Sequence, residues 1–414
     1  MRHDLENARI KVIKPRIKKY CTCPYCGKKQ IFKKKKEHWK LVKEIDINST
    51  LLLKVQIIYA KCSNPECKVK SFPLPIKGIK KYQRATERLK REAIAGIVED
   101  NSTLLRISRR LNRSFNTTGS KSSIDRWKHR EASRYDFKEI IHKLGFSGVL
   151  TLDEYMPKRG ENYALIAGDA VRKRILYIES VSLFYGKGEI EKFLLRLKEF
   201  GIEAWAAVID FWVGFPRQLR KLWPDILIQY DYFHIMQWIY KFLKNCILKY
   251  RRELKRKGFK EMEEELWEHR WRLLKGRRNW SKKDEEIIKE LKEIYKHTFL
   301  DDILNFKEKV EDIFNKSRSK EEAYFRRESL VRENFWRKSE ELSRIMKFLM
   351  SDKFEYMITY LEYPKIPRCG CEGLIRTWRQ IEKVRYGFKT EKGLQNHLKL
   401  YQITKYLNNQ LFEE

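Results

Sequence analysis

"FSGVLTLDEYMPKRGENYALIAGDAVRKRILYIESVS", residues 146–182, is the stretch on which the fold depends. Its apolar runs "FSGVLTLDEY", "NYALIAGDA" and "KRILYIESVS" are short, β-rich and separated by turn residues, so they predict three strands in a meander. An amphipathic helix follows in "GEIEKFLLRLKEFG", then a buried strand in "AWAAVIDFW". A second helix, "GFPRQLRKLWP", and a last strand, "DILIQYDYFH", complete the pattern.

Strand-strand-strand-helix-strand-helix-strand is the order of an RNase H-like sheet, in which the first and fourth strands are neighbours. Asp153 ends the first in "LTLDEY" and Asp210 ends the fourth in "AAVIDFW", so their carboxylates should meet at one edge. Carboxylates that close an apolar run repel one another and are costly to bury, unless cations lie between them. Mg²⁺ can supply that charge and still leave coordination positions for phosphate and water. A third acid is expected on a returning helix, in "CGCEGLIRTWRQIEKVRYGF", residues 369–388. There Glu372 shares a face with Arg376, Arg379 and Lys383, while Leu374, Trp378 and Ile381 form the opposite, core-facing side. The expectation is that Glu372 holds metal and the three cations track DNA phosphates. Plainer readings stand beside these. Glu372 could be a first-turn acid paired with Arg376, Glu154 could replace Asp153, and Asp210 could cap a helix. Asp169 is explained by a turn after the second strand. Asp231 and His234, in "DYFH", read first as a pair fixing the strand-to-helix junction and second as an accessory metal or phosphate contact.

Charge points to the partner. The chain of 414 residues carries a net charge of +35, and residues 1–90 hold 25 Lys/Arg against 7 Asp/Glu, a balance of +18. Such an excess neutralises a polyanion, foremost DNA. Hydrophobic content of 42% with 11 Trp, 21 Tyr and 22 Phe excludes global disorder. The longest apolar stretches, such as "AWAAVIDFWVGF", are too short to span a bilayer, and no signal peptide opens the chain. The expected location is the cytoplasm, on the nucleoid.

Of eight cysteines, Cys23 and Cys26 in "CPYCGKKQ" and Cys62 and Cys67 in "KCSNPEC" are spaced as metal knuckles at either end of a hairpin-like stretch. They predict one Zn²⁺ in a zinc ribbon over residues 21–82, after a basic arm of residues 1–20. Cys21 is a spare thiol. Residues 83–135 predict three short helices in a helix-turn-helix. Ser122, Ser123, Arg126 and Lys128 would be offered to the major groove and Trp127 kept for the core. The first part of the catalytic core would occupy residues 145–240 and an all-helical insertion residues 241–359. Residues 360–414 would supply the last part of the core and the tail. The fold class is therefore multidomain α/β.

These residues together resemble the DDE-type transposases of prokaryotic insertion sequences, in the subgroup with an N-terminal zinc ribbon and helix-turn-helix. "CPYCG" and "YAKCSNPECKVKSF" are similar to its knuckles, and "YQRATERLK" to the entry of its DNA-binding helices. "LTLDEYMPKRGENYALIAGDA" is similar to the block of its first acid, and "VIDFWVGFPRQLRKLWPDILIQYDYFHIMQ" to that of its second, with an Asp-x-x-His signature. "CEGLIRTWRQIEKVRYGFKTEKGLQNHLKLY" is similar to the block of its final Glu, with Tyr386, Gly387 and Phe388. "PRCGCEGL" departs from the pattern, placing Cys369 and Cys371 about Gly370 where a Thr-Asn pair is common. The resemblance implies Asp153, Asp210 and Glu372 as a triad holding two Mg²⁺ or Mn²⁺. It also implies strand cleavage at terminal inverted repeats, transfer to target DNA, and a homodimer. A DNA-binding regulator without catalysis, and a nuclease that cuts without joining, remain alternatives.

Overall fold

A computed structural model describes residues 9–44, 51–76, 79, 84–115, 119–157, 162–182, 186–211, 214–385 and 387–407. Part of the expected basic arm (residues 1–8), part of the turn before the third DNA-binding helix (116–118) and Tyr386 lie outside them. The chain forms two units, Met1–Ile140 with Gln380–Glu414, and Ile141–Arg379.

The first unit begins with β1 (Arg9–Ile13), the hairpin strands β2 (Tyr20–Thr22) and β3 (Lys29–Ile31), then β4 (Lys34–Glu44), β5 (Leu51–Lys61) and β6 (Ser71–Pro73). Its larger sheet runs β1-β5-β4, with β6 paired on β5 and β1 parallel to β5. Alternation along β5 buries Leu53, Val55 and Ile57 with Val42, while its other end joins the cysteines through Ile58 and Ala60. Helices α1 (Glu87–Val98), α2 (Leu104–Phe115) and α3 (Lys121–Ala132) follow, then α4 (Phe137–Leu144). Thr86 caps α1, accepting from the Leu89 N–H, and its hydroxyl donates to Glu44 at 2.7 Å, so the cap also ties the helices to β4.

The second unit holds β7 (Val149–Tyr155), β8 (Tyr163–Asp169), β9 (Arg174–Val181), α5 (Lys187–Glu199), β10 (Ala206–Ile209), α6 (Gly214–Leu222) and β11 (Leu227–Tyr230). The element order is the predicted one. The sheet runs β11-β10-β7-β8-β9, with β7, β10 and β11 parallel and β8 antiparallel to both its neighbours. The parallel strands are buried on both faces, which is why they read as unbroken apolar runs.

From β11 the chain enters α7 (Tyr232–Arg256), α8 (Lys260–Leu274), α9 (Lys282–Ile294), α10 (Phe299–Asn315), α11 (Lys320–Arg332), α12 (Glu340–Leu349) and α13 (Phe354–Glu362). The last of these covers the exposed edge of β11. Buried Gln229 donates to the Met357 carbonyl at 3.1 Å and accepts from the Tyr360 N–H at 2.9 Å, and Thr359 donates to the Ile228 carbonyl at 2.7 Å. These bonds satisfy an edge that would otherwise recruit a foreign strand.

The chain closes with α14 (Glu372–Arg385) and α15 (Glu391–Tyr406). Of residues 360–414, expected to supply the last part of the core and the tail, those from Gln380 onward belong to the first unit. There α15 packs on α3 and α1, and Lys399 donates to the Tyr135 carbonyl at 2.7 Å. Arg385 donates to the Ile97 and Ser102 carbonyls at 3.3 and 3.0 Å. Three short helices have little interior of their own, and Leu394, Leu398 and Ile403 of α15 add to it.

Candidate active site and metal cluster

Cys23 and Cys26 lie in the turn between β2 and β3, and Cys62 and Cys67 between β5 and β6. Their four sulfurs all fall within 4.8 Å of one another, with Cys26 Sγ 3.8 Å from Cys62 Sγ. Gln30 braces the two turns. Its amide donates to the Lys61 carbonyl and its oxygen accepts from the Ser63 N–H at 2.7 Å and hydroxyl at 2.8 Å. The thiols differ electrostatically. The Lys28 N–H lowers Cys26 to about 7. The Asn64 N–H pulls Cys62 down, but burial and the other three thiols outweigh it and push that group up to about 11. A closed set of four sulfurs with no other donor suits tetrahedral Zn²⁺. Cys21 packs beside the cluster without joining it, and burial raises its thiol.

In the second unit, the last paired residues of parallel β7 and β10 are Leu152 and Ile209, and Asp153 and Asp210 come directly after them. His234, in the first turn of α7, stands between them, with Nε2 3.2 Å from Asp153 Oδ2 and Nδ1 3.8 Å from Asp210 Oδ2. Asp153 also accepts from the Glu154 N–H at 2.7 Å, and Asp210 from the Phe211 N–H at 2.6 Å. Burial lowers His234, but the hydrogen bond and charge of Asp153, with Asp210 and Asp231, raise it to about 9. Burial pushes Asp210 upward. It also raises Glu154 to about 7, with help from the charges of Asp153 and Asp210. Buried Glu154 Oε2 has no hydrogen-bond partner. One imidazolium therefore leaves this group of carboxylates over-charged, and a set of hard oxygen donors short of positive charge fits a divalent cation.

The Asp231–His234 pairing expected at the junction is divided. Asp231 accepts from the Phe233 N–H, capping α7, and from the Gly370 N–H, both at 2.8 Å. His234 turns instead to the two strand-end acids. Asp169 is structural, as expected, accepting from Ser147, Val171 and Arg172.

Glu372 starts α14 and is half-buried. The segment before it is laid on the sheet. Gly370 donates to Asp231, Thr151 donates to Cys371 Sγ at 3.2 Å, and Lys173 donates to the Cys369 carbonyl at 3.0 Å. A Cβ at Gly370 would lie 2.0 Å from Thr151 Oγ1, so no side chain fits there. Leu374 and Trp378 are buried, while Arg376, Arg379 and Lys383 are exposed. Arg379 also lies 5.4 Å above the Tyr155 ring, at the end of β7. Among the described residues the four cysteines are the group of metal-ligating side chains converging within 4.8 Å, and Asp153, Asp210 and Glu372 do not converge that closely.

On α3, Ser122 and Arg126 are exposed and Ser123 is partly so. Lys128 corrects the sequence reading. It falls in line with Ile124 and Ala132 on the buried face and is 3% exposed, whereas Trp127 is half-exposed. Burial, then the charge of Arg385, lowers Lys128 to about 8. It cannot be offered to a groove. The residue the sequence undervalued is Glu154, read only as a rival to Asp153. Its position directly after a buried strand-end acid was the available signal.

Among known protein families, the transposase family DDE_Tnp_ISL3 matches residues 150–398, more than half of the chain. No curated protein matches it. Among the described residues, no helix is long and apolar enough to cross a membrane.

Proposed function

The chain belongs to the DDE-type transposases of insertion sequences, and on that premise we propose that it cuts DNA at element ends and joins those ends to target DNA. Asp153, Asp210 and Glu372 would be the carboxylates that hold divalent cations. The observation that carries this reading is the placing of Asp153 and Asp210 at the same end of adjacent parallel strands, with His234 between them. The strand order β11-β10-β7-β8-β9 supports an RNase H-like core, and α7–α13 are then an insertion before the final acid.

Bound at these carboxylates, Mg²⁺ or Mn²⁺ supplies Lewis-acid stabilisation of phosphate charge and lowers the pKa of bound water. The protein's own share is positioning. His234 fixes the orientation of Asp153, and Asp231, by holding the Gly370 N–H, sets where α14 starts and so where Glu372 stands. Exposed Arg376 and Arg379 on that helix would meet DNA phosphates, a role also expected of exposed Lys383. In the first unit the thiol cluster reads as a zinc ribbon and α1–α3 as a helix-turn-helix, with Ser122, Ser123 and Arg126 toward the terminal repeats. Pairing of two ends would call for a homodimer.

Asp153→Asn, Asp210→Asn and Glu372→Gln are each expected to abolish Mg²⁺-dependent nicking of an end-containing duplex while leaving binding to that duplex intact. Normal cutting by any of the three would remove that residue from the triad. A pre-cleaved end supplied with target DNA should yield joined product. Cutting without joining would mark a nuclease instead.

A further inference from the structure

Beside the acids, the helices that follow β11 enclose an open cavity of about 840 Å³. Asp210 and His234 form one end of it. From His234 the same face of α7 continues through Trp238, Lys241 and Lys244, a helical spacing that runs a ten-residue length, about 15 Å, away from the acids. The opposite wall carries Trp271 and Lys275. Among its lining residues Asp210 is the one carboxylate, so beyond the acid end the walls are cationic and aromatic.

These aromatic rings are not ordinary core. Trp271 is 59% exposed and Trp267, one turn earlier on α8, is 40% exposed. Cations band them. Lys244 lies 5.1 Å and Arg270 5.3 Å from the Trp271 ring, and Arg251 and Arg270 lie 3.9 and 3.7 Å from the Trp267 ring. Trp238 is a fixed platform, with Phe242 and Phe348 at ring distances of 4.5 and 4.8 Å. Large apolar side chains left in water, with lysines beside them, match the demands of an unpaired base and its phosphates. Any base offers a π-face, and the backbone brings negative charge. The volume falls in the small-ligand range of about 300–1,000 Å³, which admits a nucleotide but not a duplex.

We propose that this cavity receives an unstacked nucleotide of the DNA strand next to the phosphate bound at the acids. Its base stacks on Trp271, and Lys241 and Lys244 meet the phosphates. The identity of the strand rests on the function proposed above. The capture of an unpaired base does not.

The test uses the full-length zinc-loaded protein in magnesium-free buffer, with fluorescence anisotropy of a labelled deoxythymidine decamer and of an abasic decamer of equal length. The wild type should prefer the decamer with bases by about tenfold or more. Trp271→Ala should erase most of that preference, and Trp271→Phe should keep most of it. Lys241→Ala with Lys244→Ala should weaken both oligomers alike and flatten their salt dependence. Trp271 is exposed, so its replacement should leave the unfolding midpoint unchanged, which is checked in parallel. Equal affinity of the wild type for both oligomers would overturn the proposal, as would a preference that survives in Trp271→Ala. Asp153→Asn separates the two readings. It should lose nicking but keep the preference for bases, so a failed cavity and a failed active site give different results.

Discussion

The molecule gathers metal-ligating side chains in two places and treats them in opposite ways. Four thiols close on one another within 4.8 Å, braced by Gln30, with Cys23, Cys62 and Cys67 buried. Asp153, Asp210 and Glu372 do not converge so closely, a histidine stands between the first two, and Asp210 with that histidine borders an open cavity. A site whose ligands are all supplied by the chain serves folding. One that leaves charge unbalanced and space beside it serves a reaction. The difference lies in what each site still lacks. On the function proposed above, the cysteines need only an ion, whereas the carboxylates would need cations and the phosphates of a substrate.

The largest expected effect tests the closed site. Cys62→Ser, or removal of zinc by a chelator, should unfold the segment from β2 to β6, because binding free energies of about 10–16 kcal/mol are typical where metal and folding are coupled. Zinc content, measured by a colorimetric release assay, and the β-sheet signal by circular dichroism should fall together. Retained β-structure in zinc-free protein would make the thiol cluster incidental.

Next comes the opposite behaviour at the acids. Asp210→Asn should lower Mg²⁺-dependent cleavage on the order of 10³-fold. Yet its unfolding midpoint should hold or rise, since the change relieves a carboxylate that burial already penalises. A thiol ligand removed destabilises, while an acid ligand removed does not. If Asp210→Asn were destabilised as strongly as Cys62→Ser, the two sites would be of one kind.

That Asp153 and Asp210 would stand near one another was readable because each closes an apolar run, and runs such as "AAVI" are buried on both faces. The cysteine pairs were readable because knuckle spacing is local. What could not be read depended on distant partners. Lys128 and Trp127 are neighbours, and hydrophobicity alone puts the tryptophan inside. The inward face of α3 is instead set by α15, more than 250 residues away in sequence, and by Arg385. The exposed tryptophans of α8, of which Trp271 lines the cavity, were hidden for a similar reason. Residues 241–359 read only as an all-helical insertion, and nothing local in a helix dense in Lys, Glu and Arg says that α8 leaves Trp267 and Trp271 exposed.

Lys128 gives the third test, a buried charge with no role in either site. Its pKa of about 8 lies below the usual 10.5, so between those values the unfolded chain holds a proton that the folded one has released. Stability from this group therefore rises with pH across that window and is flat below it, where the lysine is charged in both states. Lys128→Met should raise stability at pH 7 by at most about 3 kcal/mol and remove that rise. Urea midpoints at pH 7 and pH 10 measure both. An unchanged pH dependence in the variant would show that the lysine escapes to solvent.

The smallest effect probes how the open site is held in place without an ion. Gly370 passes so close to β7 that a methyl group would strike Thr151 Oγ1, and its N–H is held by Asp231 only two residues before Glu372. Gly370→Ala should cost about 1–3 kcal/mol by overpacking. It should also move the start of α14, and a shift near 1 Å can lower a rate about 10²-fold. Thr151→Ala removes the clashing hydroxyl, so the double variant should recover much of the lost stability and part of the cleavage. The thiol cluster, in the first unit, should keep its zinc throughout. Cleavage that falls while stability holds would mean that Gly370 positions the acid without bearing load. Both unchanged would mean that this segment can lift from the sheet, and that Glu372 does not owe its place to the passage between Thr151 and Asp231.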